Sequence, residues 1–236
     1  MLHERSVPTK KSKKSKTARP ARIGPPAAVR QQRSVPPKDH FRPSGESEST
    51  QDAKSFDYLN RPGEFRHLAP KIFDALTNIV ECSQAGLGGV AALEASGLLA
   101  DALFHQTEVP RSPSLRRIWS DELVQAVDEA DLVFLDPDYG IQGTRLTPKH
   151  VSLSEIATLR RQDRTLVLVQ KQTGRRSVVN FLVNRLRSLG CKRIDLIRFR
   201  LVVSRFYAVT DHDETRSERI AEFARKWGKW VDVYRP

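Results

Sequence analysis

The chain has 236 residues and a formal net charge of +12, with 40 Lys and Arg against 28 Asp and Glu. Twelve of those basic residues and only two of the acids fall in residues 1–43, so the excess charge belongs to an N-terminal arm. No stretch approaches the ~18 apolar residues that cross a bilayer, and no apolar signal region opens the chain. Two cysteines, Cys82 and Cys191, lack metal-ligand spacing and read as buried free thiols of a cytoplasmic protein.

Residues 1–55 read as a disordered, basic, proline-rich arm, because seven of the 14 prolines precede residue 44 and few apolar residues offset the entropy of ordering. Lys10, Lys11, Lys13 and Lys14 form a compact block suited to neutralising nucleic-acid phosphates. A merely solubilising arm is the alternative. On this reading, deleting residues 1–43 leaves the melting temperature nearly unchanged.

Residues 56–236 form one α/β domain. A short strand is expected at 56–59, then the irregular 60–65. A helix starts near Pro70 and turns Ile72, Phe73, Leu76, Ile79 and Val80 to one face. Gly86, Gly88 and Gly89 precede a short helix over 90–96 that Gly97 stops. A weak strand at 102–106 leads to a helix capped by Ser114, with Leu115, Ile118, Trp119, Leu123 and Val127 at helical spacing.

Residues 132–135 (LVFL) and 165–169 (TLVLV) are strongly apolar and read as buried parallel strands. Ser152 or Ser154 starts the helix between them, and an amphipathic helix over 178–189 ends at Gly190. Two antiparallel strands (193–200, 204–210), a helix (217–227) and a tail with Trp230 and Tyr234 close the chain. The expected architecture is a mostly parallel sheet covered on both faces.

The densest chemistry is at 131–140, DLVFLDPDYG. The strand delivers Asp136, Pro137, Asp138 and Tyr139 to the carboxyl edge of the sheet, where open α/β sheets bind ligands. The alternative is turn chemistry, the two carboxylates accepting from loop amides. Lys171, with Arg175 and Arg176 opening the next helix, reads as a phosphate contact or a solvated loop. Asp136, Asp138 and Glu155 are hard-cation ligands only if the fold gathers them. His67, His105, His150 and His212 show no ligand spacing.

The tetrapeptide 136–139 resembles the Asp-Pro-Pro-Tyr motif that ends the fourth strand of amino-methylating nucleic-acid methyltransferases, with Asp138 at the second proline. The chain is more similar to a poorly characterised bacterial family carrying Leu-Asp-Pro-Asp-Asn-Gly. Residues 135–140 match that motif with Tyr139 for Asn, and 170–175 match its later Gln-containing segment with downstream Arg.

That family resembles Rossmann-like methyltransferases, among them partner proteins of three-cysteine-motif systems and rRNA adenine-N6 enzymes. The resemblance implies a Rossmann-like methyltransferase-type sheet with a C-terminal antiparallel pair. It also implies transfer of a methyl group from S-adenosylmethionine to a nucleic-acid amine. Asp136 would accept from the amine, Pro137 set the turn and Tyr139 stack on the base. Asn60, Gly63 and Glu64 would line the donor site. A non-catalytic nucleic-acid-binding or partner protein on a degenerate methyltransferase fold, and a metal-dependent nuclease, are the alternatives.

Overall fold

The computed structural model describes residues 27–29, 56–84, 90–105, 107–172, 177–201 and 204–236. The expectations for Lys10, Lys11, Lys13, Lys14, Arg175 and Arg176 fall outside those residues.

Seven strands form one mixed sheet, in the order β2 (Leu103–His105), β1 (Ala27–Val29), β3 (Leu132–Leu135), β6 (Thr165–Lys171), β8 (Arg205–Thr210), β7 (Ile194–Phe199), β9 (Val231–Tyr234). The ladders from β2 to β6 are parallel, and those from β6 to β9 are antiparallel. The chain is therefore an α/β protein with a C-terminal antiparallel strand pair, as expected, but its sheet is mixed rather than mostly parallel. A second, two-stranded ladder joins β4 (Gly140–Ile141) to β5 (His150–Val151) beside the end of β3.

Ala27–Val29, the described stretch of the N-terminal arm, is a strand paired on both sides, to β2 and to β3. A short apolar run needs only backbone partners to order, and both neighbours supply them. Residues Asp57–Asn60 form a 3-10 turn rather than a strand. The tail at Val231–Tyr234 is a strand on β7, because the odd–even alternation of Val231 and Val233 fits a half-buried edge.

Helices α1 (Pro62–Phe65), α2 (Pro70–Gln84), α3 (Val90–Ala95), α4 (Pro113–Ala126), α5 (Leu153–Leu159), α6 (Val178–Ser188) and α7 (Glu214–Trp227) complete the fold. Local chemistry sets most starts. Ser152 and Glu155 form a capping box at α5, Ser177 accepts from the Asn180 amide, and Asp213 accepts from the Arg216 amide. At α4 the expected Ser114 cap is displaced: Ser112 precedes Pro113, which takes the first turn without needing an amide donor.

The main core joins Val133, Leu135, Leu166, Leu168, Leu196 and Ala208 on one sheet face to Trp119, Leu123, Ile156, Leu159 and Leu182 of α4–α6. α7 covers the other face, where Trp227 meets Phe199 edge-on at 5.4 Å. A satellite core of Leu59, Phe65, Leu68 and Phe73 packs with Tyr58, Leu201, Trp227 and Trp230. Ile72 stays exposed, so the buried face of α2 is narrower than its sequence predicts. Cys191 is a buried free thiol whose pKa burial pushes up to about 11. The Cys82 side chain lies outside the description. No helix among the described residues is long and apolar enough to cross a membrane.

Candidate functional site

Strand β3 ends at Leu135, so residues 136–139 stand at the carboxyl edge of the parallel strands. Pro137 is buried, Asp136 and Asp138 are half-buried, and Tyr139 exposes its ring. The enclosed cavity behind Asp136 and Pro137 measures only about 10 Å³ and is lined by Trp119, Leu123, Val151 and Glu155. That space is no larger than one water. Among the described residues, a ligand of these side chains therefore lies on the outer surface.

A buried glutamine holds the motif in place. Gln170, on β6, accepts from the Ile141 amide at 2.9 Å and donates to the Tyr139 carbonyl at 2.8 Å. Gly140 adopts φ +90°, and a Cβ there would fall 2.1 Å from Gln170 Oε1. Only glycine accepts both that backbone conformation and that contact. The Tyr139 amide donates to the Lys149 carbonyl at 3.0 Å, which draws the 142–149 loop against the motif.

Arg116 anchors the same loop from α4. Its buried guanidinium pairs with both Glu155 oxygens at 2.6 and 2.9 Å, and donates to the Thr147 and His150 carbonyls at 2.9 and 2.6 Å. Glu155 also accepts from the Ser152 amide at 2.8 Å. Its carboxylate is thus committed to Arg116 and the Ser152 amide. No cluster of three metal-ligating side chains occurs among the described residues.

Around the exposed Tyr139 ring stand His150, with centroids 5.5 Å apart, Lys149, with Nζ 5.3 Å from the ring centroid, and Lys171, with Nζ 5.9 Å from it. Burial, and then the charge of Arg116, hold the His150 imidazole below its usual pKa. At neutral pH it is an uncharged aromatic neighbour for Tyr139.

Continuing the β3–β6 register by one residue sets Asp136 opposite Val169, which pairs with Tyr207 on β8. Burial pushes the Tyr207 phenol up; Arg205 opposes this, while Asp136 and Tyr58 add to it. Asp136, Tyr207 and Tyr58 therefore share one electrostatic neighbourhood at this edge.

Asn60, Gly63 and Glu64, expected at the donor site, lie on the turn and α1 rather than on a strand-to-helix loop. Glu64 pairs with Arg61 at 3.0 Å and with Lys229 at 3.5 Å. Gly63 borders an open depression of about 410 Å³ with Pro62, Arg66, His67 and Pro70, and a Cβ there would meet nothing. An adenosyl donor wants close backbone approach and a carboxylate for its ribose hydroxyls. This depression supplies neither, so the residues present do not fit that group.

Sequence reasoning missed Lys149, His150, Arg205 and Tyr207. Strand alternation carried a signal for Arg205, directly opposite Lys171; nothing local signals that the 142–149 loop folds back onto Tyr139. No known family model matches this chain, and no curated protein is significantly similar to it.

Proposed function

We propose that this chain binds single-stranded or extruded nucleic acid at the carboxyl edge of its sheet, as a non-catalytic binding or partner protein on a methyltransferase-like fold. The observation that carries the reading is the exposed Tyr139 ring, with Lys149, Lys171 and a neutral His150 around it. Proteins that hold single strands combine aromatic stacking platforms with positive charge. Asp136, at the end of β3, is the acceptor for an exocyclic amine of the stacked base. The basic block of the arm adds phosphate contacts.

Binding of fluorescent single-stranded RNA and DNA tests this. Stacking is worth about 1–3 kcal/mol per base, so Tyr139→Ala should weaken binding roughly 5- to 150-fold, and Tyr139→Phe should bind nearly as wild type. Asp136→Asn should alter the preference among bases rather than total affinity. Wild-type affinity in Tyr139→Ala refutes the reading.

Methyl transfer from S-adenosylmethionine is the second reading. The specific feature in its favour is the motif at the end of β3, with parallel β6 and the antiparallel β8–β7 pair beyond it. Calorimetric titration with S-adenosylmethionine and S-adenosylhomocysteine separates the two: measurable heat favours methyl transfer, and none favours the binding protein.

A further inference from the structure

Lys171 and Arg205 are directly opposed across the antiparallel β6–β8 ladder. Opposed residues of such a pair place their Cβ atoms only about 4.5–5.5 Å apart, and like charges there destabilise the sheet. Arg116, Arg160, Arg193, Arg200 and Arg216 of the body each reach a carboxylate. Among the described residues no ion pair reaches Lys171 or Arg205. The pair lies one row beyond Asp136–Val169–Tyr207, on the same sheet face, and Lys171 also borders the Tyr139 ring.

We propose that Lys171 and Arg205 form a two-pronged phosphate site that grips the phosphate attached to the nucleoside stacked on Tyr139. The inference rests on the binding reading above and adds the ligand's chemistry: a nucleotide, not a free base or nucleoside. An anion between the two cations removes the repulsion that otherwise opposes the ladder. Asp136, one row deeper, keeps the phosphate at the outer edge and leaves the strand end to the base. The phosphate belongs to a strand or to a free mononucleotide, and the probes distinguish these.

The test uses the full chain and three probes at fixed salt: a single-stranded trinucleotide, the matching nucleoside 5′-monophosphate and the nucleoside. Wild type is compared with the double variant Lys171→Gln/Arg205→Gln. The expected result is a loss of about tenfold or more in affinity for the phosphate-bearing probes, the scale of a lost charge-assisted contact. Affinity for the nucleoside should fall by clearly less than that for the phosphate-bearing probes, and the melting temperature should not fall, since a repelling pair has been neutralised. A loss confined to the trinucleotide assigns a phosphodiester, and a loss shared with the monophosphate assigns any nucleotide phosphate. Unchanged affinity for both, or an equal loss for the nucleoside, overturns the proposal. Failure of the stacking reading registers separately, as wild-type binding of every probe by Tyr139→Ala.

Discussion

Replacing Gly140 by alanine should damage the loop that carries Tyr139, and the damage should depend on Gln170. The new Cβ would sit 2.1 Å from Gln170 Oε1 and 2.3 Å from its Cδ, so the amide must leave its place. Its departure strands the Ile141 N–H and the Tyr139 carbonyl. Leaving buried backbone groups unsatisfied costs about 1–3 kcal/mol. The backbone at φ +90° adds roughly 1–2 kcal/mol of strain for any residue with a Cβ. Gly140→Ala alone should therefore cost about 3 kcal/mol in denaturant unfolding.

In a Gln170→Ala background the clash is gone and the hydrogen bonds are already lost. There Gly140→Ala should cost only the strain, about 1–2 kcal/mol, leaving a coupling of at least ~1 kcal/mol. Hydrogen exchange of the Ile141 amide should accelerate in either single variant. Equal cost of Gly140→Ala in both backgrounds would show that Gln170 is not what the glycine makes room for.

Arg116→Ala leaves Glu155 buried without its cation and should cost about 3–5 kcal/mol, with faster amide exchange at Tyr139 and Gln142; a cost below ~1 kcal/mol would mean the 142–149 loop is held by other contacts. Burial lowers the pKa of His105, His150 and His212, so the unfolded chain binds these protons first. Stability should then be full above the unfolded value of about 6.5 and decline as pH falls below it, and His212→Gln should reduce that slope in pH-dependent unfolding. Deleting residues 1–43 takes β1 from between β2 and β3, so the melting temperature should fall, reversing the sequence-based expectation; an unchanged temperature would show that β1 adds nothing to the sheet.

Much of this protein is legible locally. The strands at 132–135 and 165–169 and the Ser152 helix start are read from nearby residues, because periodicity and side-chain caps act within a few residues, whereas the helices at Pro113 and Glu214 begin ahead of the expected Ser114 cap and residue 217. The place of Asp136 and Tyr139 at a strand's carboxyl end follows from the same local pattern. Tertiary structure alone decided the rest. Ala27–Val29 becomes a strand because distant β2 and β3 offer it backbone partners. Glu155 is committed to Arg116, 39 residues away. Lys149 and His150 reach Tyr139 because Gln170 and Arg116 fold the loop back. Arg205 faces Lys171 only through the β6–β8 register. Pairings across long sequence separations are selected by burial and hydrogen-bond satisfaction in the assembled core, and no local pattern carries that information.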